Sequence, residues 1–316
     1  MTKMENRINS APKDTEKQGW VNRLSPDFAW PYLQLMRADR PIGTWLLLWP
    51  CLWAIALASH QSVLQWPFYL PDVFLMVLFA VGAFVMRGAG CVVNDLADRN
   101  YDALVDRTRG RPLPSGRVTA GQAMIFLGAL CLIGLVILLQ LSALAIWLGV
   151  MSLALVVIYP FMKRFTYWPQ IMLGLTFNWG ALMGWAAVTG ELAWPAVLLY
   201  GGGIFWTLGY DTIYAHQDKE DDALIGVKST ALKLMDHTPK WLIFFYSMMV
   251  VLFALAGNMA GIGMAYYVGL GFITGHCIWQ IKSLKMEDSD NCLRLFKSNH
   301  HLGLILFISI LAGHYI

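Results

Sequence analysis

PDVFLMVLFAVGAFVMRGAGCVVNDLADRNYD, residues 71–102, is the stretch whose reading decides the fold. From Val73 to Val93 only Arg87 carries a charge. A run of about 20 apolar residues is long enough to cross the hydrocarbon core as a helix. The character then changes within a turn, to Asn94, Asp95, Asp98, Arg99 and Asp102. The pattern is that of a membrane helix whose end meets water at a charged site.

Working outward, the same apolar character recurs in nine stretches, at 41–59, 71–94, 119–139, 142–160, 168–188, 194–215, 239–257, 260–281 and 301–315. Composition agrees: 57% of residues are hydrophobic and 14% charged, against about 25% charged in a soluble domain, and the mean hydropathy is +0.53. Backbone groups in lipid must bond one another, and alternating barrel-type segments are absent, so the expected fold is all-α with nine transmembrane helices. Residues 1–25 are polar, lack the apolar stretch of a signal peptide and are expected to form a flexible extension. Residues 26–316 are expected to form a single membrane domain. Residues 26–38 mix aromatic and charged side chains, as a short interfacial helix would.

Loop charge orients the spans. Lys and Arg residues precede the first span and fill the 2–3, 4–5, 6–7 and 8–9 loops, while the other loops contain none. The positive-inside rule then predicts a cytoplasmic N-terminus and an external C-terminus. The net charge of +3 is thus a topology signal, and no nucleic-acid partner is expected. The five Cys residues show no CxxC spacing and the seven His residues no HExxH, which argues against zinc or disulfide chemistry.

The acidic residues concentrate in two places. Asn94, Asp98 and Asp102 are spaced by four, and Asp211, Asp218 and Asp222 by seven and four, so each set forms one helical stripe. Both sit where a span reaches the basic face. Facing carboxylates repel, and a hard cation with oxygen ligands removes the conflict; magnesium prefers a few carboxylates together with waters and phosphates. Arg99, Arg107 and Lys219 are interleaved with the stripes and suit a diphosphate. A single acidic cluster is as readily a solvated loop; two on one face disfavour that reading. A cation transporter would carry its charges near the bilayer midplane, which this distribution also disfavours.

The blocks NDLADRNYD, VDRTRGRPLPSG and YDTIYAHQDKEDDALIGVKST, supported by MRADRPIGTWLLLWPCLWA from Met36 and YPFMKRFTYWPQ from Tyr159, resemble the UbiA family of intramembrane prenyltransferases. The likeness runs from about residue 30 to the C-terminus. It implies nine helices around a central cavity open sideways to lipid, with the bilayer as a partner. It implies Mg2+-dependent transfer of an isoprenoid from a polyprenyl diphosphate to the carbon of 4-hydroxybenzoate ortho to its hydroxyl, in ubiquinone biosynthesis. The implied setting is a bacterial inner membrane, with the site facing the cytoplasm. By motif position, Asn94, Asp98, Asp102, Asp211, Asp218 and Asp222 hold magnesium. Among them Asp98, Asp102, Asp211 and Asp218 are catalytic, and Asp211 is the candidate to polarise the phenol. Arg99, Arg107 and Lys219 contact the diphosphate. Arg37, Lys163 and Arg164 are candidates for the acceptor carboxylate, though Lys163 and Arg164 read equally well as a topology anchor. Tyr214 lines the cavity or simply packs. Naphthoate, homogentisate, haem and chlorophyllide are the rival acceptors.

Overall fold

The structure, a computed structural model, describes residues 19–59, 71–103 and 108–315. Arg107 and residues 1–18 of the polar extension lie outside them. In chain order the α-helices are α1 (Trp20–Leu24), α2 (Trp30–Leu35), α3 (Ile42–Ser59), α4 (Val73–Asp102), α5 (Ala120–Leu138), α6 (Ala143–Phe165), α7 (Pro169–Thr189), α8 (Trp194–Ala215), α9 (Lys219–Ile225), α10 (Thr230–Leu234), α11 (Thr238–Ala260), α12 (Met264–Ser283) and α13 (Ser289–Gly313). No strand occurs among the described residues.

Local chemistry sets the helix ends. Ser142 caps α6 by accepting from the Ala145 amide at 3.3 Å. Pro169 and Pro195 occupy the first turns of α7 and α8, where a missing amide hydrogen costs nothing. Gly190 and Gly261 end α7 and α11 at φ 76° and 73°, a conformation open to a residue without Cβ.

Seven helical segments among the described residues are long and apolar enough to cross a membrane. Helices α8 and α12 are long enough but less apolar. Gly201–Gly203 and Tyr210 dilute the first, and Tyr266, His276 and Gln280 the second. Two boundaries differ from the sequence expectation. Helix α4 runs on to Asp102, past the expected span end at 94, and α13 begins at Ser289, well before 301. A helix need not stop at the hydrocarbon edge, because water tolerates a helical backbone as readily as lipid requires one.

The chain divides into two compact units, Met1–Thr44 with Val81–Leu138, and Trp45–Ala80 with Leu139–Ile316. In the first, Val21, Leu35, Val92 and Ala123 are fully buried, with Trp30, Val85 and Leu130 packed among them. Helix α1 lies in the stretch assigned to a flexible extension, yet it buries Val21 and Asn22, and the Trp30 indole donates to Asn22 Oδ1 at 2.8 Å.

In the second unit Trp53, Trp206 and Phe253 form a ring cluster, with Trp53 centroids 5.0 and 5.6 Å from the other two. Each indole is satisfied: Trp53 donates to the Gly303 carbonyl at 2.8 Å and Trp206 to Asn299 Oδ1 at 2.9 Å. Buried indoles need such partners. Helix α7 meets α3 through Gly180 and Gly184. A Cβ on Gly184 would lie 2.7 Å from the Cys51 carbonyl oxygen and 3.2 Å from Ala54. Small residues four apart permit this close approach.

Gly184→Ala is therefore expected to destabilise the protein by about 1–3 kcal/mol, read as a lower unfolding midpoint in detergent. Gly121→Ala, where nothing lies within 4 Å, is expected to leave the midpoint unchanged or slightly raised. Equal midpoints for the two variants would mean that α7 and α3 are not in contact at this point.

Candidate active site

The first acidic segment is organised by the end of α2. The Ala38 amide donates to Leu33 O at 2.9 Å and the Arg37 amide to Gln34 O at 3.1 Å, the pair of bonds that closes a helix with a left-handed residue. That residue is Arg37, at φ 59°. The conformation costs a side-chain-bearing residue roughly 1–2 kcal/mol, and the position usually selects Gly. The side chain accounts for the exception. Its Nη2 donates to Asp95 Oδ1 at 2.6 Å, and its Nη1 to the Gln34 carbonyl at 3.2 Å.

Asp95 is fully buried and has a second cation. Arg111 Nη1 lies 3.4 Å from Asp95 Oδ1 and donates to Asp102 Oδ2 at 2.8 Å. Asp95 and Asp102 are seven apart, so both lie on one face of α4, and a single guanidinium reaches both. Thr108 Oγ1 donates to the Asp102 carbonyl at 2.8 Å. Arg117 donates to Gln34 Oε1 at 2.8 Å and lies over the Trp30 ring at 4.8 Å. The segment after α4 thus folds back onto α4 and α2 through its cations. Burial raises the Asp102 carboxyl above its usual range, with Arg111 opposing, and burial lowers Arg117.

Among the expected residues of this segment, Asp98 is buried, Asn94 half-buried and Arg99 exposed; Arg107 is outside the described residues. Arg37, expected near an acceptor carboxylate, instead holds a carboxylate of the chain itself. Asp95 and Arg111 were not singled out by sequence. The seven-residue spacing from Asp95 to Asp102 could have marked Asp95; no comparable spacing marks Arg111.

The second segment rides on α8. Asn178 Nδ2 donates to Thr207 Oγ1 at 2.8 Å, and Thr207 Oγ1 to the Tyr210 hydroxyl at 3.1 Å. Thr212 and Thr230 share a hydrogen bond of 2.8 Å, and His216 Nε2 shares one of 3.1 Å with Thr238. These bonds fix the helix that presents Asp211 and Tyr214, both half-buried. The Tyr214 ring lies 4.4 Å from that of Phe296.

Asp218 follows in the turn before α9, and the Asp222 side chain is outside the described residues. Burial, reinforced by Lys219, pushes His216 down to about 4. Lys219 Nζ lies 2.5 Å from Glu287 Oε1, and this hydrogen bond holds Glu287 below the usual carboxylate range. Lys163 and Arg164 end α6 beside the same region. The Lys228 amide donates to the Lys163 carbonyl at 2.9 Å, and the Lys228 ammonium lies 5.4 Å from the Tyr167 ring.

The donors along both segments are carboxylate and amide oxygens, the chemistry a hard divalent ion prefers. Among the described residues Asp95 Oδ2 and Asp39 Oδ1 are buried without a hydrogen-bond partner, while Asp39 Oδ2 lies 3.5 Å from Arg40 Nε. Among the described residues no three His, Cys, Asp or Glu side chains gather closely enough to enclose a metal ion.

The sequence profile of the UbiA prenyltransferase family matches residues 47–311. The chain belongs to this family. It is 51% identical to a mitochondrial 4-hydroxybenzoate polyprenyltransferase of Aedes aegypti over 90% of its own length and 63% of that protein's. It is 50% identical to the one from Drosophila melanogaster over 97% of its own length and 77% of the relative's. The chain thus spans less than two thirds of the first relative. The solved structure of a UbiA homolog from Archaeoglobus fulgidus, bound to GPP and Mg2+, covers 90% of this chain and 100% of that one, with a TM-score of 0.64 at 17% identity; the fold is shared. One expectation is corrected. The half-identical relatives, like those from Arabidopsis thaliana and Rattus norvegicus, are named mitochondrial, which points to a mitochondrial membrane and not a bacterial inner membrane.

Removing one partner of a buried ion pair costs about 3–5 kcal/mol, and Arg37→Ala is expected to lower stability by that amount in detergent unfolding. Arg37→Gly is expected to lose roughly 1 kcal/mol less, because Gly adopts φ 59° without the left-handed penalty. Identical losses would show that the backbone at this turn is unstrained.

Proposed function

We propose that this chain transfers a polyprenyl group from a polyprenyl diphosphate to the ring carbon of 4-hydroxybenzoate ortho to its hydroxyl, the step in ubiquinone biosynthesis. It is a membrane prenyltransferase. The observation that carries this reading is half identity, over nine tenths of the chain, to proteins named for the reaction. All nine long helices are assigned as spans, with the N-terminus and both acidic segments on the membrane face that bears the basic loops. That assignment rests on loop charge in the sequence.

Asn94, Asp98 and Asp102, with Asp211, Asp218 and Asp222, are the oxygen donors that would hold magnesium. The support is their donor chemistry and the Mg2+ bound by the archaeal homolog. When bound, the metal neutralises diphosphate charge as the carbon–oxygen bond breaks.

Arg99, Arg107 and Lys219 bind the phosphate oxygens and retain the pyrophosphate that leaves. The allylic cation left behind is shielded from water while the acceptor ring is held against it. Lys163 and Arg164 take the acceptor carboxylate. Arg37, committed to Asp95, supports the site from behind its acidic face. Asp211 accepts a hydrogen bond from the phenol, which raises electron density at the ortho carbon, and Tyr214 lines the acceptor. A carbon–carbon bond forms there, and the ring proton passes to a base.

Asp98→Ala and Asp218→Ala are each expected to lower product by about 10²–10³-fold, and chelation of divalent metal to do the same. The assay is mass spectrometry of the product from 4-hydroxybenzoate and a set of polyprenyl diphosphates, with naphthoate and homogentisate in parallel. Full activity in both variants would sink the diphosphate assignment. Prenylation of a rival acceptor in place of 4-hydroxybenzoate would overturn the acceptor.

A further inference from the structure

A cleft of about 850 Å³ opens between α12 and α13, lined by none of the residues assigned above. On α13 its wall is Asp290, Arg294, Lys297 and His301, spaced by four, three and four, hence one stripe of the helix. All four are exposed. Opposite them on α12 stand His276 and Trp279, three apart, with ring centroids 5.2 Å from each other. His276 is anchored, sharing hydrogen bonds of 3.2 Å with both Ser298 Oγ and Gln280 Nε2. Two permanent cations and two histidines thus face a single carboxylate.

The place of the cleft in the membrane follows from its elements. It lies where α12 ends and α13 begins, around the 284–288 turn. The Lys219–Glu287 pair holds that turn to the second acidic segment. A Trp at the mouth suits the interfacial layer.

Below the mouth the same stripes turn apolar. Leu304 and Ile308 continue the α13 stripe, and Phe272 and Val268 the α12 stripe; these four side chains are 37, 54, 68 and 55% exposed. Exposed cations at the mouth, with exposed apolar side chains following along the same two helices, match the two halves of a phospholipid. A free phosphate would use the mouth and leave the lower walls idle.

We propose that this cleft binds an anionic phospholipid, with Arg294 and Lys297 on the headgroup phosphate and an acyl chain along the groove between α12 and α13. Basic pockets between membrane helices select anionic headgroups in this way, and Arg offers the phosphate paired donors.

The test is native mass spectrometry of the delipidated full-length protein in detergent, titrated with phosphatidylglycerol, with phosphatidylcholine, and with phosphatidylglycerol plus inorganic phosphate. Phosphatidylglycerol is expected to bind about 10-fold or more tighter than phosphatidylcholine and to resist displacement by phosphate. The double variant Arg294→Gln/Lys297→Gln is expected to weaken it about 30-fold, while the charge-preserving Arg294→Lys/Lys297→Arg retains it. Equal binding of the two lipids, unchanged binding in the double Gln variant, or displacement by inorganic phosphate would each overturn the proposal.

Discussion

Asp95 is a carboxylate with no access to water, and two guanidinium groups reach it. They come from 58 residues before and 16 residues after it in the chain. Taking an ion out of water costs several kcal/mol, and the two pairings offset that cost at one atom, Oδ1. Because Arg37 closes α2 and Arg111 also grips Asp102, a single buried charge ties together the turn before α3, the last turns of α4 and the segment that follows. Apolar packing of Val21, Leu35 and Val92 is non-directional and would tolerate rotation of α4. The ion pairs would not.

The larger unit is held differently. Trp53 to the Gly303 carbonyl, Trp206 to Asn299, and the Tyr246 hydroxyl to Gln280 Oε1 at 2.6 Å are neutral bonds, each satisfying a polar tip on a large apolar body. Glycines let the helices come close enough for these bonds: Gly303 lies against Trp49 and Gly209 against Tyr246. Neutral bonds of this kind carry little desolvation cost, so helices that bury them can be mostly apolar. Charge in this unit collects at helix ends, as in the Lys219–Glu287 pair.

The legible part of this structure was the part set by local periodicity. Apolar runs of about 20 residues mark membrane helices because lipid leaves the backbone no alternative, and seven of the nine expected spans coincide with helices long and apolar enough to cross a membrane. Helices α4 and α13 extend beyond the expected spans because hydropathy reports where lipid ends, not where the helix does. In the site, a spacing of four placed Asp98 and Asp102 on one helix. The partner of Asp95 could not be read the same way, since no local pattern links it to Arg37 across 58 residues. Loop charge separates one face of a membrane from the other but is silent on which membrane it is, and the bacterial setting implied by the resemblance is what the mitochondrial relatives correct.

Charge balance explains why pairing and catalysis can share the end of α4. Three carboxylates on this face would repel a diphosphate. Arg37 pairs with Asp95 and Arg111 with Asp102, so two of them already meet cations of the chain itself. The same pairing explains an arginine at φ 59°, where Gly would cost less. The guanidinium carried by this left-handed turn reaches Asp95 on α4, and a Gly there would leave that buried carboxylate one cation short. The strain at Arg37 is thus offset by the charge it supplies beneath the site.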